Sequence, residues 1–390
     1  MAALIHVNHH QKTKILATIG PASSSIDALL DLVKAGVNVF RLNFSHGAHS
    51  QHQEVINNIL EINEKYNVHI GILADLQGPK LRIGKIENNA LEINPGDILT
   101  FVNEECLGTK EKIYMSYELF ASDVKVGEKV LVDDGKIVLE VIATNGTNEV
   151  KLMVLFGSVL SSNKGVNLPD TKVTQPSLTE KDLEDLDYIL TQPVNWIALS
   201  FVRQAKDVKD LQRRIKAKKH FAKVVAKVEK PEAIANIKEI IKASDAIMIA
   251  RGDLGVEVPI EKLPGLQKMI IAKCIQKAKP VIVATQMMES MITNPSPSRA
   301  EVTDVANAVL DGTDAVMLSG ETSVGNHPAL VVEAMRRIIG EAEASYHMIG
   351  KRPNPDPDAE TFLSDVLCLN APRLAEEVNA KAILGLTVNG

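Results

Sequence analysis

A lysine and carboxylates placed at the ends of apolar runs are the features of this sequence that can do chemistry. In KVVAKVEK (223–230), Lys227 and Glu229 are two residues apart, so an extended chain points both side chains to one face. The next apolar run, AIMIA, leads directly into Arg251-Gly252-Asp253. Two carboxylates from adjacent strand ends, Glu229 and Asp253, form an oxygen site for Mg²⁺ that leaves positions open for substrate and water. The plainer alternative is a Lys–Glu ion pair. In RLNFSHG, Arg41, Asn43 and Ser45 fall on every second residue. A guanidinium, an amide and a hydroxyl facing together suit a phosphate or carboxylate, unless Arg41 pairs with an acid and the other two cap a turn. Thr285 in VIVATQ and Ser319-Gly320-Glu321 in MLSGETS end two more apolar runs. A hydroxyl there can bind a carboxylate or relay a proton, or simply cap a helix. His46, His49 and His52 are spaced by three but run into a solvated helix start, and are not read as metal ligands.

These groups need rigid strand ends to hold them. Eight short apolar runs recur: TKILATIG (13–20), VNVFRLNFS (37–45), HIGILADL (69–76), NWIALSF (195–201), KVVAKVE (223–229), DAIMIARGD (245–253), PVIVATQ (280–286) and DAVMLSGE (314–321). They lack polar alternation, as strands covered on both faces do, and amphipathic segments lie between them. The segment SSSIDALLDLVKAG opens on capping serines and closes on Gly36, while PEAIANIKEIIKAS opens with Pro231 in its first turn. The pattern predicts an α/β fold, a (β/α)₈ TIM barrel built from residues 1–78 and 174–350. Chemistry in such a barrel belongs at the carboxyl ends of the strands. Between them, residues 79–173 change to short alternating runs broken by Pro95-Gly96, Val126-Gly127, Asp134-Gly135 and Asn145-Gly146, which predicts an inserted β domain on the catalytic rim. A tight type I′ hairpin is expected at Asn145-Gly146. After the Pro- and Asp-rich stretch 351–360 come an expected helix (361–379) and a strand, AILGLTV, a partial carboxyl-terminal α/β domain whose apolar groups and strand edge would be left uncovered.

Composition narrows the function classes. The chain has 390 residues, of which 45% are apolar, with a net charge of -6. That is enough to build a large core, and it argues against a nucleic-acid surface and for small-molecule partners. Cys106, Cys274 and Cys368 are far apart and odd in number, which speaks against a disulfide framework or zinc site and for a reducing compartment, the cytoplasm. No run reaches the length of a membrane span, and no Rossmann or Walker loop is present.

The chain resembles pyruvate kinases over about residues 12–345. The resemblance rests on KTKILATIGPAS, RLNFSHG, KGVNLPD, KVEKPEA, ARGDLGVEVP, ATQMMESM and SRAEVTDVANAVLDGTDAVMLSGET, in that order. It implies transfer of the phosphoryl group of phosphoenolpyruvate to ADP in glycolysis, giving ATP and an enolate that is protonated to pyruvate. It further implies that Glu229 and Asp253 hold Mg²⁺ (or Mn²⁺), that Lys227 neutralises the transferring group, and that Arg41 binds phosphate. By the same resemblance Thr285 serves the substrate carboxylate and proton delivery with Gly252 beside it, and Arg82 and Asn43 bind nucleotide. Lys164 in the returning segment is a further contact, the inserted domain closes as a lid, and the assembly is a homo-oligomer, a tetramer in the family. Potassium-requiring members carry Asp-Thr-Lys-Gly-Pro-Glu where this chain has Asp75-Leu76-Gln77-Gly78-Pro79-Lys80, with their monovalent ion near the positions of Asn43, Ser45 and Asp75. Lys80 is therefore expected to substitute for K⁺, making K⁺ unnecessary. A metal-dependent lyase acting on pyruvate is the competing enzyme reading, and a non-catalytic binding protein the other.

Overall fold

A computed structural model describes residues 11–349, 355, 357 and 361–385. Eight parallel strands, Lys14–Thr18, Val39–Asn43, Gly71–Asp75, Trp196–Leu199, Lys223–Val228, Ala246–Ala250, Val281–Ala284 and Ala315–Leu318, close into a barrel in which the eighth pairs with the first. The absence of polar alternation has a direct cause. All five residues of Ala246–Ala250 are buried, because one face fills the barrel and the other is covered by helices. Leu16, Leu73, Val225, Met248, Ile282 and Met317 form a core cluster of their own, while Ile15, Phe40, Ile72, Val224, Ile247 and Val316 belong to a larger one that includes the helices. Neighbours in sequence thus alternate between the two, as the period of a strand requires.

Local chemistry sets the crossovers. In the helix Ile26–Ala35 the Ser25 side chain accepts from the Ala28 amide, and Gly36 closes it at φ 128. A Cβ on Gly36 would lie 2.8 Å from Arg336 Cδ, so both conformation and space call for glycine. Pro231 opens a helix as expected, but that segment divides at Asn236 into Pro231–Ala235 and Ile237–Ala243.

The inserted segment between the third and fourth barrel strands forms a six-stranded sheet and a two-stranded one. It has a separate apolar core that includes Leu99, Phe101, Val130, Leu139 and Leu152. Its longest strands, Ile137–Thr144 and Glu149–Phe156, show the one-sided burial that produced the alternating sequence. Their connection differs from the expected two-residue turn. Only Gly146 has positive φ, and the Asn145 side chain instead accepts from the amides of Thr147, Asn148 and Glu149, making a four-residue loop. Asparagine's capacity to bond its own following backbone won over its tolerance of positive φ. The returning chain is tied to the barrel by Arg203, whose guanidinium donates to the carbonyls of Val173 and Gln175.

The helix Phe362–Glu377 forms with no buried residue, and Leu363, Leu367 and Leu374 are exposed. The expected strand after it is not seen at 382–385, and 386–388 lie outside the described residues. Cys106, Cys274 and Cys368 are free thiols. Among the described residues no helix is long and apolar enough to cross a membrane.

Candidate active site

The carboxyl ends of the second to sixth strands meet in one cleft of about 120 Å³. It is lined by Arg41, Asn43, Ser45, Asp75, Leu76, Lys80, Arg82, Lys227, Glu229 and Asp253, together with His46, Gln77, Ser200 and Phe201. Ten positions singled out in the sequence therefore converge, although they span more than two hundred residues of chain. The strand carrying Arg41 and Asn43 ends at Asn43, so Ser45 reaches the cleft from a turn, where its amide donates to Asn43 Oδ1 at 3.2 Å.

At the centre is a charge network. Lys227 Nζ lies 2.9 Å from Glu229 Oε1 and 3.3 Å from Asp75 Oδ1, and donates to Ser200 Oγ at 2.8 Å. Asp75 Oδ2 accepts from Arg41 Nε at 2.7 Å and also pairs with its Nη2 at 2.7 Å, while Arg41 Nη1 donates to Thr18 Oγ1 at 3.0 Å. The Lys227–Asp75 approach is close enough for an ion pair, yet Asp75 Oδ1 makes no hydrogen bond. The lysine is aimed at Glu229 and Ser200, with Asp75 contributing charge at its flank. Glu229 is fixed by the Phe201 amide, which donates to Oε2 at 2.7 Å. Phe201 itself has φ 53.

Protonation follows from this packing. Burial alone would push Lys227 down, but Asp75 and Glu229 outweigh it and hold the ammonium well above the ordinary lysine range. Burial would push Asp75 up, but Lys227 and then Arg41 hold it below the usual carboxylate value. For Glu229, burial and the repulsion of Asp253 prevail over the attraction of Lys227 and raise it. Two repelling acids at one cleft, both hard oxygen donors, are the donor chemistry a divalent cation would relieve. No group of three or more His, Cys, Asp or Glu side chains suited to a metal occurs among the described residues. A cation held by Glu229 and Asp253 would thus complete its shell from other oxygens.

Thr285 and Gly252 adjoin the cleft without lining it. Thr285 follows the seventh strand with φ 73, and its Oγ1 accepts from the Gly252 amide at 2.6 Å and donates to the Ala284 carbonyl at 2.5 Å. Positive φ at a β-branched residue is a strained conformation of the kind that collects at functional sites. Buried Arg251 braces that turn, donating to the Thr285 and Gln286 carbonyls and pairing with Asp304 at 2.7 Å. Lys164 lies outside the lining, paired with Asp133 at 2.9 Å, whereas Arg82 Nη1 donates to the neighbouring Asn163 carbonyl at 2.9 Å. Glu321 is turned inward onto the amides of Met288 and Ser319. The three histidines diverge: His49 pairs with Asp185 at 2.7 Å, and His52 meets the His46 carbonyl at 3.0 Å and stacks on Phe44.

Sequence reasoning missed Ser200, the Phe201 amide and Thr18. Ser200 alone carried a signal, a hydroxyl at the end of an apolar run. It also missed that Asp75 serves both cations.

The comparisons agree with this architecture. A sequence model of the pyruvate kinase barrel domain matches residues 10–332. The pyruvate kinase of Geobacillus stearothermophilus is 45% identical over 384 residues, covering 97% of this chain and 65% of that protein. The Corynebacterium glutamicum pyruvate kinase is 45% identical over 380 residues, covering 97% and 79%. A crystal structure of a pyruvate kinase from Cryptosporidium parvum superposes with a TM-score of 0.86 at 37% identity, covering 96% of this chain and 78% of that one. This chain therefore belongs to the pyruvate kinase family.

Proposed function

We propose that this chain transfers the phosphoryl group of phosphoenolpyruvate to ADP, yielding ATP and pyruvate. The observation that carries the reading is Lys227 Nζ, held 2.9 Å from Glu229 and 3.3 Å from Asp75, in a cleft shared with Arg41 and Asp253. Phosphoryl transfer needs positioned positive charge more than covalent help. Lys227 and Arg41 supply it from rigid strand ends, with Asp75 orienting Arg41 and contributing negative charge at the flank of Lys227. Mg²⁺ (or Mn²⁺) bound by Glu229 and Asp253 would neutralise charge on the transferring group and orient it. Thr285 and the Gly252 amide receive the substrate carboxylate, and the Thr285 hydroxyl, now donating to a backbone carbonyl, turns to relay the proton to the enolate. Arg82 and Asn43 contact the nucleotide, and Lys164 joins them on closure of the inserted domain, which excludes water from the reacting phosphoryl group.

Lys80 lines the same cleft as Asn43, Ser45, Asp75 and Leu76, and its Cε lies 3.8 Å from where a Cβ on Gly165 would stand. Lys80 is exposed at the rim of this cleft, and its ammonium, when turned inward, disfavours a second cation by at most about 4 kcal/mol for charges ~4 Å apart at an effective dielectric of 20, less with solvent screening, so catalysis proceeds without K⁺. The enzyme works in the cytoplasm as a homo-oligomer. The test is pyruvate formation from phosphoenolpyruvate with and without ADP. Pyruvate formed only with ADP, and lost in Lys227→Met, supports the reading; pyruvate-forming lyase activity with no need for nucleotide overturns it.

A further inference from the structure

The helix Arg251–Glu257 carries Asp253 in its first turn and Glu257 one turn later. Glu257 is 4% exposed. Its Oε1 accepts from Lys230 Nζ at 2.5 Å and from Asn167 Nδ2 at 2.7 Å. Lys230 directly follows Glu229, and Asn167 ends the last strand of the inserted sheet, Val166–Asn167. One buried oxygen thus joins the end of the fifth strand, the helix bearing Asp253 and the inserted domain. A second contact repeats the junction: a Cβ on Gly135, in a turn of the inserted domain, would stand 3.8 Å from Val256 Cγ1 on the same helix.

We propose that Asn167 and Glu257 are positioning residues that dock the inserted domain onto the Asp253 helix and so set how much of the enzyme has a closed cleft. The proposal rests on the phosphoryl-transfer reading above. Its physical basis is the division of labour on Glu257. Lys230 and Glu257 both belong to the barrel, so their ion pair persists whichever way the inserted domain moves, and the buried carboxylate is never left alone. Opening then breaks one hydrogen bond to a charged group, Asn167 to Glu257, and no buried ion pair. Such a bond is strong enough to shift a closed-to-open ratio by about tenfold and weak enough to break in every turnover. Glutamine at 257 would not serve, since it would leave the Lys230 ammonium buried without a counter-charge.

The test uses the whole chain with Asn167→Ala and Asn167→Asp, both of which leave the Lys230–Glu257 pair in place. Steady-state assays separate KM for ADP from kcat, and hydrogen exchange follows residues 129–132 and 251–257. Asn167→Ala is expected to raise KM for ADP about tenfold while kcat falls less, and to speed exchange in both segments. Asn167→Asp, which sets a second carboxylate against Glu257, should exceed it, and Asn167→Gln should recover most of the loss. A purely structural role would instead lower melting temperature and kcat together with no KM split. KM and exchange within about twofold of the unmodified chain in both variants would overturn the proposal, and Asn167→Asp decides alone if the alanine variant does not fold. If the unmodified chain makes no pyruvate, the phosphoryl-transfer reading falls, but exchange still decides the docking contact: faster in both segments supports it, unchanged refutes it.

Discussion

Replacing Lys227 by methionine removes a positive charge at nearly constant length and tests the centre of the site. A unit charge ~4 Å from the transferring phosphoryl group contributes about 4 kcal/mol at an effective dielectric of 20, which is roughly a thousandfold in rate. The expected outcome is a fall in kcat of at least about a thousandfold. Phosphoenolpyruvate should still bind, because Arg41 remains on Asp75 at 2.7 Å and Thr18 at 3.0 Å. Divalent cation affinity should hold or rise, since the ammonium 2.9 Å from Glu229 competes with any cation for that carboxylate. Stability should fall by less than the ~3–5 kcal/mol of a broken buried pair, because Asp75 keeps Arg41 and Glu229 keeps the Phe201 amide. Single-turnover measurement of pyruvate, with calorimetry of Mn²⁺ binding on the same folded variant, reads both quantities. A variant within about tenfold of normal turnover removes Lys227 from the chemistry, and loss of cation binding would mean that the lysine organises the metal carboxylates rather than the phosphoryl group.

Glu229→Gln and Asp253→Asn should each weaken Mg²⁺ binding by about tenfold or more at nearly constant shape; unchanged affinity in both by calorimetry would put the metal elsewhere. For K⁺, kcat measured in K⁺ and in tetramethylammonium at equal ionic strength should agree, Lys80→Glu should introduce a dependence, and K⁺ activation beyond about tenfold in the unmodified chain would sink the idea. Burial pushes the Cys274 thiol up to about 12. Its protonated form is favoured by folding, so this stabilisation is complete below about pH 9 and lost as pH rises toward 12. Part of the alkaline loss of melting temperature should therefore vanish in Cys274→Ala, and at pH 8 a thiol reagent should modify Cys368 and Cys106 well before Cys274; equal labelling of all three would contradict its burial.

The barrel was readable because burial on both faces leaves an unbroken apolar run, and the ends of such runs carry the charges. Lys227 and Glu229 share a face by the period of the strand alone. What the sequence hid was of two kinds. Ser200 and Thr18 act through hydrogen bonds across 27 and 23 residues, and of the two only Ser200 has a local mark, a hydroxyl ending an apolar run. Asp75 was visible only as a neighbour of a candidate monovalent site, since its double duty toward Arg41 and Lys227 exists only once three strands are side by side. The loop at 145–148 departs from the expected turn for a local reason, the bonding of the Asn145 side chain to the amides that follow it. The 382–385 segment reads as a strand by composition but pairs with no strand among the described residues.

The hold on Glu229 by the Phe201 amide has a consequence for how the site can vary. A contact made by a side chain can be lost in a single substitution, whereas one made by the main chain survives every replacement at that position except proline, which has no N–H. With φ at 53, position 201 tolerates glycine or asparagine at little conformational cost, and the ring now there is free to be selected for what it touches, including the Lys230 ammonium 5.9 Å from its centroid. Orientation of the carboxylate and the shape of the adjoining wall are thereby inherited separately. Relatives can remodel the wall at 201, and with it the fit of whatever lies against it, without disturbing the geometry at Glu229.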